Sequence, residues 1–228
     1  INLSFFGAPG QFRLDGGRII TSGHFEYLEF TKRLRSMGIP FNLCCNTVLD
    51  EMQVEFDENL HEILKDNNLA GNGYIVSRMW LARKLRKLFP SRKLIYSSIG
   101  YLIEKWDEDA IFDLFDVVVC PVEELNNFDF LRNSRHYRKL EVFLNNECTG
   151  FNKHCYNHYL HNSKYNTKMI ADSHFVCPFI DPDSEINSID VATYRELGVT
   201  HFKLIDRTSP IETLTKYLDI LEQGKIWQ

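Results

Sequence analysis

The residues in this chain best suited to chemistry are its cysteines. There are six, and Cys148, Cys155 and Cys177 fall in one stretch that also carries His154, His158, His161 and His174. Thiolates are soft ligands that suit iron–sulfur clusters and zinc, and a cluster tolerates irregular ligand spacing because its irons sit at different corners. Cys148 and Cys155 lie seven positions apart and Cys177 follows after another 22. No CxxC pair of the structural zinc kind is present, nor the CxxxCxxC run of radical enzymes that use S-adenosylmethionine. The spacing points first to an iron–sulfur cluster and second to zinc. Cys120 reads instead as a small buried hydrophobe at a strand end. His154, His158 and His161 fall at helical spacing, which fits a solvated helix face as well as groups behind the metal ligands or a zinc site.

Other side chains suggest a substrate. Arg78 beyond the third strand, with Lys203 and Arg207 at the last, would form a cationic floor for a carboxylate, since Arg grips carboxylates through two parallel hydrogen bonds. The plainer reading of these cations is structural ion pairing. Asn145, Asn146 and Glu147 would orient ligands or substrate, or close local hydrogen bonds in a loop. No Ser/His/Asp or Cys/His arrangement stands out from spacing, so peptide hydrolysis has no support in the sequence.

Composition narrows the class. With 44% hydrophobic and 25% charged residues the chain has the balance of a packed protein. A formal net charge of −5 gives no general attraction to a polyanion, so nucleic-acid contact would need a local basic patch. No apolar stretch is long enough to span a bilayer, and residues 1–13 lack the basic-then-apolar layout of a signal peptide. The expectation is a cytoplasmic protein whose thiols are reduced.

The elements that must position these groups alternate between short β-branched or aromatic runs and longer amphipathic segments, the pattern of a parallel sheet built from βα units. Candidate strands are residues 2–6, 40–43, 73–76, 93–97, 116–119, 140–144, 175–180 and 201–204. Candidate helices are 24–37, 79–88, 107–115, 193–197 and 209–221, the last opened by Ser209 and Pro210 as cap and first turn. Eight strands predict a single-domain, TIM-like (β/α)8 barrel over residues 1–228. An open doubly wound sheet is disfavoured because Gly7-Ala8-Pro9-Gly10 is not the GxGxxG phosphate loop. In a barrel the loops after the strands carry the site, where Cys44, Cys45, Cys120 and Cys148 all fall. Alternation along a strand sends Cys44 and Cys45 to opposite faces, so only one of them can be a ligand.

Two patches carry a family resemblance. The run Lys139-Leu140-Glu141-Val142-Phe143, followed by Cys148, Phe151 and Cys155, resembles the collagenase-like peptidase U-32 family, in which an E-V-F strand leads to C-x6-C with an aromatic between. The run from Phe202 to Arg207 resembles that family's F-K-I-E-G-R strand, with Ile205 and Asp206 in place of its Glu and Gly. Before it, Tyr194-Arg195-Glu196-Leu197-Gly198-Val199 fits the family's helix-then-Gly entry. The resemblance implies a barrel holding a 4Fe-4S cluster that serves oxygen-independent hydroxylation of ubiquinone precursors or RNA bases, with prephenate as a proposed oxygen source. It leaves the substrate open among small molecules, RNA and peptides. It also implies a fourth ligand; several relatives supply a late cysteine, but none follows Cys177 here, so Cys45 stands first, then Cys44, then Cys120, or an open iron position. The alternatives are a non-catalytic cluster-binding partner subunit of a hetero-oligomeric enzyme, and a zinc-stabilised barrel.

Overall fold

The computed structural model describes residues 4–10, 12–17, 24–105, 107–125, 127–134, 136–144, 153–171 and 191–204, with isolated positions between 212 and 221. In chain order the elements are β1 (Phe5–Gly7), α1 (His24–Ser36), β2 (Phe41–Cys45), α2 (Glu58–Asp66), β3 (Gly73–Val76), α3 (Met79–Leu88), β4 (Lys93–Tyr96), α4 (Glu108–Leu114), β5 (Val117–Val119), α5 (Phe128–Asn133), β6 (Leu140–Phe143), α6 (Lys153–Asn166), α7 (Val191–Glu196) and β7 (His201–Lys203). The chain gathers into two compact units, residues 2–116 with 152–177, and residues 117–151 with 178–228.

In the first unit β1 to β4 pair in sequence order and in parallel, with registers such as Leu43↔Tyr74 and Tyr74↔Leu94. Parallel strands are covered on both faces, and all five residues of β2 are buried. One face looks at the helices. Phe41 meets the rings of Tyr27 and Phe30 on α1 edge-on, with centroids 5.7 and 6.4 Å away. Tyr74, level with Leu43, donates its hydroxyl to the Leu64 carbonyl of α2 at 2.8 Å and stacks on Phe89 at 5.6 Å. Tyr96, level with Val76, packs on Phe115 at 5.0 Å. By alternation Asn42, Cys44, Ile75 and Ile95 take the opposite face.

Local signals explain the helices of this unit. Asp57 caps α2 by accepting the Leu60 N–H at 2.9 Å, and Leu60 and Leu64, four apart, are buried together. Leu81, Ala82 and Leu85 anchor α3 in the same way. After α1 the chain turns at Gly38 with φ +70°, a left-handed conformation that glycine adopts without a Cβ penalty.

The second unit pairs β5 with β6 and β6 with β7, again in parallel. Here Glu141 and Lys203 face each other across the strands at 3.6 Å, both mostly buried. The Tyr194 hydroxyl of α7 donates to the Leu125 carbonyl.

Seven expected strands and four expected helices are present, with β2 running two residues further than expected, through both cysteines. The eighth strand, at 175–180, lies outside the described residues, as does most of the 209–221 helix. The parallel α/β arrangement stands; α2, α5 and α6 are helices the periodicity did not pick out. Replacing the fully buried Leu64 by Ala is expected to cost about 2–5 kcal/mol in urea unfolding, whereas Met52→Ala, on a fully exposed side chain, should stay within about 0.5 kcal/mol.

Candidate functional site

The helix α6 belongs to the first unit and buries an unusual face. Its buried residues are Cys155, His158, Asn162, Ser163 and Asn166, of which 155, 158, 162 and 166 make one stripe at spacings of three and four. None is aliphatic. A polar face is stable in the interior only if it is hydrogen-bonded, and the partners here are the loops that leave β1 and β2. The Asn162 amide donates to the Gly17 carbonyl at 2.8 Å and the Asn166 amide to the Asp15 carbonyl at 2.6 Å. The Val48 N–H donates to the Ser163 hydroxyl at 3.2 Å.

The loop that receives α6 is itself held tightly. Asp15 turns back so that one carboxylate oxygen accepts the Gly17 N–H at 2.9 Å, and the Thr47 N–H donates to the Leu14 carbonyl at 2.7 Å. Ser77, next after β3, donates to the Thr47 carbonyl at 2.6 Å. Gly16 lies so close to α6 that a Cβ there would sit 2.9 Å from the Tyr159 carbonyl oxygen and 3.0 Å from that of Asn46. A hydrogen-bonded chain thus runs from α6 through the β1 and β2 loops to the end of β3, and α6 also packs on the turn 98–102 beyond β4. These are the carboxyl ends of the strands, where (β/α) folds place their sites.

Cys155, in the first turn of α6, is buried. Cys45 ends β2 on the helix-covered face, with its thiol pushed well above the usual range by burial, then by Cys44 and Asp15. Such a thiol keeps its proton and is a poor nucleophile. Cys44 shares the opposite face with Asn42. In the second unit Cys120 is fully buried and its thiol is pushed up to about 12 by burial, then by Glu124 and Glu123. Cys148 and Cys177 lie outside the described residues. Among the described residues no three His, Cys, Asp or Glu side chains gather into a group that would hold a metal ion.

Arg78 pairs with Asp50 and, at 3.4 Å, with Glu104, whose carboxylate also accepts the Met79 N–H at 3.2 Å. Lys203 pairs with Glu141 at 3.6 Å, and Arg207 lies outside the described residues, as do Asn145, Asn146 and Glu147. The histidines divide: His158 is buried, His161 half-buried and His154 exposed. Asp15, Asn162, Ser163 and Asn166 were not among the expected site residues; the signal that would have found them is a helical stripe of small polar residues.

No family model and no curated protein matches the chain. Among solved structures the U32 peptidase Mk0906 superimposes with a TM-score of 0.61, at 13% identity, covering 91% of this chain and 86% of that chain. The chain has the fold of a U32 peptidase. That likeness concerns the backbone path, and it was anticipated by residues 139–155 and 202–207.

Two outcomes follow from this geometry. Gly16→Ala should destabilise the protein by about 1–3 kcal/mol in chemical unfolding, because neighbouring backbone must shift to admit the methyl group. For Cys120, the unfolded thiol ionises near 9.0 while the native thiol holds its proton until about 12. Between those values the native state binds more protons, so stability falls as pH rises, by up to about 1.4 kcal/mol per pH unit from this group. Denaturant titrations of Cys120→Ala above pH 9.0 should show a shallower loss than the parent.

Proposed function

We propose that this chain is a U32-type barrel protein that holds a 4Fe-4S cluster on Cys148, Cys155 and Cys177 and serves oxygen-independent hydroxylation or a related modification. The observation that carries the reading is Cys155, a buried thiol on the helix that hydrogen bonds fasten to the carboxyl ends of the strands. The fold likeness to a U32 peptidase and the E-V-F strand leading to Cys148 and Cys155 support the same reading. None of the four cysteines described is in a disulfide, and thiols are the donors such a cluster takes.

When bound, the cluster would supply electron transfer or an iron position for an oxygen donor. The chain's own contribution is placement. Asn162, Ser163 and Asn166 fix the axis of α6, and therefore where Cys155 sits relative to the ends of β1 and β2. For the fourth ligand, Cys45 carries the first expectation; its neighbour Cys44 competes because it lies on the face away from α1 and α2. Each thiol must lose its proton to bind iron, so loading is favoured by higher pH.

Anaerobic reconstitution with iron and sulfide is expected to give a brown protein with about four irons per chain, the count of a 4Fe-4S cluster. Cys148→Ala, Cys155→Ala and Cys177→Ala should each lose iron and colour. Between Cys44→Ala and Cys45→Ala, only the variant that removes the fourth ligand should do so. A colourless protein that binds a single zinc, or full iron in all three single variants, would reject the proposal.

A further inference from the structure

We infer that the cleft between α1 and the end of α2 is a binding site for a free amino acid with an apolar side chain, its carboxylate held by Arg35 and its ammonium by Asp66. The cleft holds about 310 Å³, the small end of the range for small-molecule sites, which runs from about 300 to about 1,000 Å³. It lies wholly in the first unit, where the chain leaves α1 and enters β2. That is the amino end of the strands, which (β/α) folds do not use for chemistry, so the site binds and does not react. Phe41 is buried and Leu28, Ile39 and Leu69 are half-buried along it, which gives the cleft an apolar lining.

Most polar side chains of the cleft are already engaged. The Asn67 side-chain amide donates to the Gly73 carbonyl at 2.9 Å and its oxygen accepts from Asn72 at 3.2 Å, while the Asn72 oxygen accepts the Phe41 N–H at 2.8 Å. Thr31 donates to the Leu28 carbonyl at 3.1 Å, and Lys32 pairs with Glu29 at 3.2 Å. Arg35 and Asp66 remain, one on each helix, and neither has an ion pair among the described residues. Tyr27, Thr31 and Arg35 stand four apart on α1 and so share a face. Burial, then Cys45 and Cys44, then Asp66 raise the Tyr27 hydroxyl above its usual range, so the Asp66 charge is felt on that same face. Asp66 is also the last residue of α2, where a negative charge opposes the helix dipole, and its neighbour Lys65 turns to Glu62 at 3.6 Å. A carboxylate that is unfavourable where it stands, and unpaired, is one that the cation of a ligand would satisfy. A simple anion would gain Arg35 but meet Asp66, and a simple amine the reverse. A zwitterion satisfies both, and the apolar lining takes its side chain.

The inference goes beyond the cluster reading and involves none of its thiols, so it is tested on the full chain treated with a chelator. Saturation-transfer NMR and thermal unfolding would use three probes: leucine, isocaproate, which is leucine without its amine, and isoamylamine, which is leucine without its carboxylate. Leucine is expected to show transfer and to raise the unfolding temperature, and each truncated probe to bind about tenfold or more weakly, the effect of one lost charged hydrogen bond. Arg35→Gln and Asp66→Asn should each weaken leucine by about tenfold or more, with far-UV circular dichroism unchanged because both side chains are exposed. The discrimination should go with the charge: Asp66→Asn brings leucine and isocaproate close to equal, and Arg35→Gln does so for leucine and isoamylamine. Without leucine, Asp66→Asn should be no less stable than the parent. No transfer to leucine, equal binding of leucine and either truncated probe by the parent, or leucine binding unchanged in either variant would overturn the inference. So would a destabilised Asp66→Asn, which would give the carboxylate a structural partner in place of a ligand.

Discussion

Everything at the candidate site depends on one costly arrangement, a helix that buries amides, a hydroxyl, an imidazole and a thiol rather than aliphatic side chains. Burying such groups is unfavourable unless each finds a partner, and a single unmatched amide costs about 1–3 kcal/mol. The partners of α6 are backbone groups of Asp15, Gly17 and Val48, which fixes the helix more narrowly than apolar packing would. Oily surfaces slide; hydrogen bonds do not. The same need explains Gly16, since any Cβ would force the loop away from the side chains it must reach. Position is thus specified at the end of the strands where the chemistry is placed.

A second constraint is the two-sidedness of parallel strands. Phe41, Leu43 and Cys45 pack against helices, and Asn42, Cys44 and Asn46 take the other side, so two adjacent cysteines have different environments. The helix-facing thiol sits among tyrosines and is held protonated by burial. In its neighbour's row every second residue along β2 is polar or a thiol. A sheet face that serves only as core would be filled with branched aliphatics, as Ile75 and Ile95 are.

The sequence made the strands legible because each is a short run of branched and aromatic residues between turn signals, and seven were placed to within a few residues. It was less informative about α6. Its buried stripe is Cys155, His158, Asn162 and Asn166, which carries no hydrophobic periodicity, so the segment read as a loop-rich stretch with a possible helix face. Short α2 was missed for another reason: only two leucines anchor it, and its start depends on the Asp57 cap. The cysteine motif was legible by residue type and spacing alone, but which of Cys44 and Cys45 lies away from the helices required the ring contacts of Phe41 and Tyr74.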